Sequence, residues 1–219
     1  MLPRLALVDP ELTYNLPPEV TATSGLDALT QLIEPYVSVK ANPMTDAICR
    51  EGIAHAARSL QRAYKNGADK EARQGMSLAA LFGGLALANA ALGAAHGFAG
   101  PLGGMLHAPH GALCARFLPL VMEANIKALE ARQPEHAVLK RYTEIAQILT
   151  GEKDATAWDG VQWTSALVNA LNIPKLSAYG MSEKDFPEAI EKTMKANSFK
   201  GNPIPLNESE LREILKEAL

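Results

Sequence analysis

A glycine-rich stretch that carries most of the histidines constrains this chain more than any other feature. Residues 93–111 read GAAHGFAGPLGGMLHAPHG and hold three of the five histidines, His96, His107 and His110. An imidazole between apolar segments costs free energy unless a polar partner satisfies it. A metal ion is one such partner, because neutral imidazole is a common metal ligand, and a backbone carbonyl is another. The cluster by itself is equally compatible with a metal site and with ordinary core histidines.

Apolar segments on both sides of this stretch predict closely packed helices. Residues 77–95 are uncharged and rich in alanine and glycine, and residues 112–122 are mostly apolar. Small side chains let helices approach closely, so residues 77–95 are predicted to form a buried helix rather than a membrane span. Helical spacing and caps predict about eight helices in a single all-α domain. A short apolar run, Leu5–Val8, is the one predicted strand.

Capping residues predict where several helices begin and end. Ser24 is predicted to cap a helix with Asp27 in its first turn, where an acidic residue usually complements the helix dipole. Asn42 and Asp69 are predicted to cap the next two helices. The helix that follows Asp69 is expected to extend to about His96, where glycines accumulate.

Charge and cysteine content narrow the classes of partner. The formal net charge is -3 and the isoelectric point is about 6.0. The sequence has no run of Lys and Arg, so neither nucleic acid nor a membrane is an expected partner. Cys49 and Cys114 are far apart and form no CxxC motif, which is typical of a reducing compartment. We therefore expect a cytoplasmic protein.

Four side chains could together hold a metal ion. Asp27 offers a carboxylate oxygen, Gln31 an amide oxygen one helical turn later, and His96 and His110 offer ring nitrogens. This mixed ligand set suits Zn(II) or Fe(II) and leaves a position for water or substrate. An ion held in this way can polarise a carbonyl or stabilise an alkoxide. The motif Asp27-x-x-x-Gln31 is weak on its own.

Five motifs resemble those of the iron-containing (group III) alcohol dehydrogenases, in the same order. They are TATSGLDALTQLIEPYVS (21–38), ANPMTDA (41–47), GAAHG (93–97), PHG (109–111) and SFKGNPIPL (198–206). The resemblance covers nearly the whole chain. It implies a multi-helix, all-α domain like the C-terminal domain of these enzymes and of dehydroquinate-synthase-like proteins.

The resemblance implies one half of an enzyme. Family members join an α/β domain, which binds NAD(P) through a Gly-Gly-Gly-Ser loop, to a helical domain that holds the metal. We expect residues 1–16 to be a remnant strand and connector from a missing cofactor-binding domain, and residues 17–219 to be the helical metal and substrate domain. The implied reaction is NAD(P)-dependent oxidation of a small alcohol or reduction of an aldehyde, with the metal polarising the substrate oxygen for hydride transfer. The isolated chain is expected to be an inactive fragment that self-associates as a homo-oligomer.

The resemblance also assigns the metal ligands. Asp27, His96 and His110 match ligands of the family's Fe(II) or Zn(II), and Gln31 stands where the family usually has histidine. An amide oxygen is a poorer donor than imidazole for these ions, so Gln31 weakens the expected site.

A second departure concerns the residues near the substrate. Gly100 stands where family members often have a histidine close to substrate and nicotinamide. His96 and His110 remain the implied catalytic residues. His107 is a third candidate, because it lies three residues before His110 and could replace a lost histidine.

Two other functions remain open. The loss of a metal histidine is also compatible with a metal-independent reductase similar to maleylacetate reductase. The chain could also be a non-catalytic helical domain that binds a metal or a partner.

The departure at position 31 gives a first prediction. Gln31→His should tighten binding of Zn(II) or Fe(II) by about 10–100-fold, because imidazole is the better donor and projects from the same helical face as Asp27. Calorimetric titration of both forms, anaerobic for Fe(II), measures the change. Equal and negligible uptake by both forms would contradict the metal hypothesis.

Overall fold

Nine α-helices make up the structure, a computed structural model that describes residues 4–219. They are α1 (Pro18–Val37), α2 (Pro43–Lys65), α3 (Lys70–Asn89), α4 (Ala94–Leu106), α5 (His110–Arg132), α6 (Ala137–Thr150), α7 (Ala157–Ala170), α8 (Phe186–Lys195) and α9 (Glu208–Ala218). Short 3-10 helices lie at Pro10–Thr13, Leu176–Tyr179, Glu183–Asp185 and Ser198–Gly201. Residues 4–219 contain no strand, and the prediction of an all-α domain is confirmed.

Two predicted helix boundaries are wrong. Ser24 does not cap α1, because the helix already begins at Pro18, whose fixed φ suits the first helical position. The Ser24 hydroxyl instead donates to the carbonyl of Val20 at 2.6 Å. Asp27 therefore lies in the middle of α1, where the helix dipole does not explain an acidic residue. The helix capped by Asp69 ends at Asn89 instead of reaching the first histidine of the glycine-rich stretch.

The chain bends by 98° between α3 and α4. Gly93 has no side chain to cap α4, and two distant side chains do so instead. Asn202 accepts from the Ala94 N–H at 3.1 Å, and Glu34 accepts from the Ala95 N–H at 2.7 Å. A Cβ on Gly93 would lie 2.8 Å from Glu34 Oε1. Glycine at this position therefore leaves room for the Glu34 carboxylate at the start of α4.

Within residues 4–219, no single helix is long and apolar enough to cross a membrane. Helices α3 and α4 have the required length and apolar composition only when taken together, as a bent pair.

Helix α1 lies at the centre of the core. It packs against α2, α3 and α5. Its side chains Leu26, Leu29, Leu32 and Ile33 are at most 1% exposed. They recur every three or four residues, and burial of each stabilises the fold by roughly 1.5–3 kcal/mol. The face of α1 that these residues share is therefore fixed, and with it the direction of the neighbouring polar residues.

The start of α5 lies directly against α1 because residue 111 has no side chain. A Cβ on Gly111 would lie 2.6 Å from the carbonyl oxygen of Thr23 and 2.9 Å from its carbonyl carbon. These are backbone atoms, which cannot turn aside as the end of a flexible side chain can. Gly111 thus holds the adjacent His110 close to α1.

Residues 4–9, before the first 3-10 helix, are exposed. Residues 5–8 form neither helix nor strand, and Leu5 and Leu7 are 86% and 91% exposed. A strand requires a hydrogen-bonding partner, and the described residues supply none here. The strand predicted at Leu5–Val8 and its assignment to a missing domain stay predictions. The predicted remnant of a missing domain, residues 1–16, also includes residues 1–3, which lie outside the described residues.

The contact at residue 111 gives a second prediction. Gly111→Ala should lower the free energy of unfolding by about 1–3 kcal/mol, because the added Cβ overlaps rigid backbone. The matched control is Gly84→Ala in α3, where an added Cβ meets nothing within 4 Å. That control should raise the free energy of unfolding by up to about 1 kcal/mol through helix propensity. Urea titrations measure both, and equal effects would contradict the packing argument.

Candidate metal centre

Three helices bring four potential ligands to one point. Asp27 comes from α1, His96 from α4, and His110 and Cys114 from α5. One ligand atom of each lies within 4.8 Å of the corresponding atoms of the others. The cluster joins three of the predicted ligands to a cysteine that the sequence analysis did not select.

The distances within the cluster are short, and two of its atoms lack partners. Asp27 Oδ1 lies 3.3 Å from His96 Nε2 and 3.8 Å from His110 Nε2. Cys114 Sγ lies 3.4 Å from His110 Nε2. Asp27 Oδ1 and His96 Nε2 are buried, and neither has a hydrogen-bond partner among the described residues. Buried polar atoms are normally satisfied, so these two unpaired atoms need an explanation.

Glu34 supports His96 from the opposite side. Its Oε2 lies 2.6 Å from His96 Nδ1, and its Oε1 accepts from the Ala95 N–H. Both side chains are nearly buried, with Glu34 4% and His96 6% exposed. An ionised carboxylate requires a donor, so Nδ1 carries a proton and faces Glu34. The lone pair of neutral His96 is then on Nε2, which faces the cluster.

Gln31 contacts Asp27 rather than standing apart as a free amide. Its Nε2 donates to Asp27 Oδ2 at 3.0 Å. Its Oε1 lies on the side of α3, 3.4 Å from where a Cβ on Gly83 would be. The reverse amide orientation would set two acceptor oxygens against each other. Gln31 thus orients the Asp27 carboxylate, and its role as a ligand stays a prediction.

His107 lies outside the group of converging ligand atoms. It ends α4 with a left-handed backbone, φ 50°, and its side chain is exposed. It lines an open cleft of about 860 Å³ together with Gly100. Its predicted catalytic role stays a prediction.

The negative charges of the Asp27 and Glu34 carboxylates favour a positive charge at the cluster. Burial lowers the pKa of His96, but the charge of Glu34 and close polar contacts with Asp27, Cys114 and Glu34 outweigh burial and raise the pKa to about 12. Burial opposes ionisation of Asp27, yet contacts with His96 and Cys114 and the nearby His110 lower its pKa below the usual range. Burial raises the pKa of the Cys114 thiol to about 12. Without a metal, the carboxylates thus favour a protonated His96, whose Nε2 lies 3.3 Å from Asp27 Oδ1, and a bound cation would take the place of that proton.

The sequence analysis missed Glu34 and Cys114. Glu34 lies seven residues after Asp27, two turns further along the same face of α1, and Cys114 lies four residues after His110 on α5. These helical spacings were the available signal. It was weak, because a Glu on a helix is usually solvated and a Cys usually belongs to the core.

Comparison with known proteins shows a consistent set of relatives. Residues 21–219 match the Fe-containing alcohol dehydrogenase family, C-terminal. Alcohol dehydrogenase 4 of Saccharomyces cerevisiae is 38% identical over 217 residues, which cover 99% of this chain and 55% of that protein. The 1,3-propanediol dehydrogenase of Citrobacter freundii is 36% identical over 228 residues, which cover 99% of this chain and 55% of the relative.

Solved structures give the same result for the fold. The crystal structure of a 1,3-propanediol oxidoreductase superposes with a TM-score of 0.87 at 36% identity, covering 96% of this chain and 55% of that one. The chain spans about half the length of the relatives that it matches. It belongs to the iron-containing alcohol dehydrogenase family and corresponds to the C-terminal, helical part of its members.

Proposed function

We propose that this chain is the metal-holding half of an NAD(P)-dependent alcohol dehydrogenase or aldehyde reductase that acts on small substrates. The observation that carries the proposal is the convergence of Asp27, His96, His110 and Cys114, with ligand atoms within 4.8 Å of one another. Membership of the family, whose printed relatives include alcohol and 1,3-propanediol dehydrogenases, supports the reaction class.

The side chains of the cluster fit a divalent metal. Asp27 Oδ1 and His96 Nε2 are buried, unpaired atoms that a cation would satisfy together. Oxygen and imidazole ligands suit Fe(II) and Zn(II). When bound, such an ion supplies Lewis-acid polarisation of a substrate oxygen.

Residues of this chain position the ligand side chains and leave access for substrate. His96 lies deep in the fold, and Glu34 fixes its ring and tautomer. The side chain of His110 is 51% exposed, so a small molecule can reach the cluster from that side. Gln31 holds Asp27 in place through its second oxygen. Together these contacts fix two side chains, His96 and Asp27, before any substrate arrives, which lowers the entropic cost of an ordered reaction geometry.

The nicotinamide partner belongs to the part of the relatives that this chain does not cover. A nicotinamide supplies hydride exchange, and we propose that a preceding domain holds it. Leu5, Leu7 and Leu12 are apolar and 82–91% exposed. Their exposure supports a surface of another domain packing against this end of the chain. We also propose a cytoplasmic location, since both cysteines are free thiols.

The substitution Glu34→Gln tests the metal-holding arrangement. We expect the dissociation constant for Zn(II) to rise by about 10–100-fold, because loss of an outer-shell carboxylate has effects of this size. The amide NH2 would donate to His96 Nδ1 and move the ring proton to Nε2, where it blocks the lone pair. Glu19→Gln, an exposed change at the start of the same helix, is the control and should leave the affinity unchanged. Equal affinities in all three proteins, measured by calorimetry, would contradict this role.

The reaction class requires a separate experiment. The longest open reading frame that contains this chain is expressed beside the isolated chain, and NAD(P)-dependent oxidation of small primary alcohols is measured. We expect turnover in the longer protein only, with a loss of at least about 100-fold in His110→Ala, beyond the usual effect of outer-shell changes. His136→Asn, which keeps a capping side chain at the start of α6, should be unaffected. Full activity of His110→Ala would favour the metal-independent reductase, and no turnover in any form would favour the non-catalytic domain.

A further inference from the structure

Cys114 is placed as a ligand would be, one helical turn after His110 on α5. Its side chain is fully buried, and its Sγ lies 3.4 Å from His110 Nε2, within the group of converging ligand atoms. We infer that Cys114 is a protein ligand of the metal and takes the place that Gln31 leaves empty. The inference rests on the proposed metal site and specifies its fourth ligand.

Gln31 cannot serve as a ligand in its present arrangement. Its amide nitrogen has no lone pair to offer, and it donates to Asp27 Oδ2 at 3.0 Å. Its oxygen lies on the side of Gly83 in α3. Helix α1 therefore contributes a single ligand atom, Asp27 Oδ1. A fourth protein ligand atom would therefore come from another helix, and Cys114 is placed to supply it from α5.

A buried cysteine is usually a small core residue. Cys49 is such a core cysteine in this protein. Cys49 is also fully buried, but it belongs to no group of converging His, Cys, Asp and Glu side chains among the described residues. Cys114 instead shares its surroundings with His96 Nε2, an unpaired atom on a side chain that is only 6% exposed. The unpaired nitrogen points to a ligand independently of the cysteine.

A thiolate would also balance the charge of a buried dication. Asp27 and the Cys114 thiolate together carry two negative charges, while His96 and His110 bind as neutral imidazoles. The thiol proton passes to solvent as the ion binds.

A thiolate ligand at Cys114 changes which metal the site would favour. Thiolate is a soft ligand that favours Zn(II), whereas Fe(II) is at a disadvantage to Zn(II) with most nitrogen, oxygen and sulfur ligand sets. The set of Asp27, His96, His110 and Cys114 therefore favours Zn(II) over Fe(II).

Cobalt(II) substitution tests the inference directly on the 219-residue chain. Co(II) bound to a thiolate shows an intense charge-transfer absorption in the near-ultraviolet, apart from its weaker visible bands. We expect this absorption in the wild type and in the matched control Cys49→Ser, and its loss in Cys114→Ser. Zinc X-ray absorption should likewise show one sulfur at about 2.3 Å in the wild type and none in Cys114→Ser.

A second variant covers the case in which Cys114→Ser binds no metal or folds poorly. Cys114→Ser should weaken Zn(II) binding by at least about 10-fold, and adding Gln31→His should restore binding without the charge-transfer absorption. Visible cobalt bands without charge transfer in the wild type would overturn the role of Cys114 and leave the proposed metal site intact. Absence of any cobalt or zinc binding by the wild type would overturn both.

Discussion

The carboxylate of Glu34 is the contact on which the rest of the site depends. One oxygen accepts from the start of α4 and the other holds the ring of His96, so a single side chain of α1 positions both a helix and a histidine. A buried carboxylate is costly unless its oxygens are bonded, and both oxygens of Glu34 are. Because α4 begins at a glycine with no cap of its own, the helix end and the carboxylate satisfy each other.

The glycines of the central stretch make room for contacts between helices rather than acting as flexible points. Gly93 leaves space for the Glu34 carboxylate at the start of α4, and Gly111 allows the backbones of α5 and α1 to approach, in each case within distances that a Cβ would prevent. Gly93 lies three residues before His96, and Gly111 follows His110 directly. The glycines and histidines of this stretch therefore belong to the same two contacts.

The sequence predicted the helices well where the signals were local. Asn42 and Asp69 cap α2 and α3 as expected, because a cap depends on a few neighbouring residues. The helix cap predicted at Ser24 was wrong because the same helix already begins at Pro18. The break between α3 and α4 was missed because its caps come from Glu34 and Asn202, which are distant in sequence.

The candidate site was predictable only in part, for the same reason. The family resemblance selected Asp27, His96 and His110, and these three do converge. Cys114 and Glu34 become notable only once α1, α4 and α5 are packed together, because their individual spacings are those of ordinary helix residues. The departure at Gln31 was visible in the sequence, but its hydrogen bond to Asp27 was not.

That hydrogen bond also limits how Asp27 can bind an ion. With Oδ2 occupied by the Gln31 amide, Asp27 presents Oδ1 alone and would bind an ion through one oxygen. Calcium requires six to eight oxygen ligands and often takes both oxygens of a carboxylate. In the proposed metal site, a single amide group would thereby keep the coordination number low and disfavour large, hard cations.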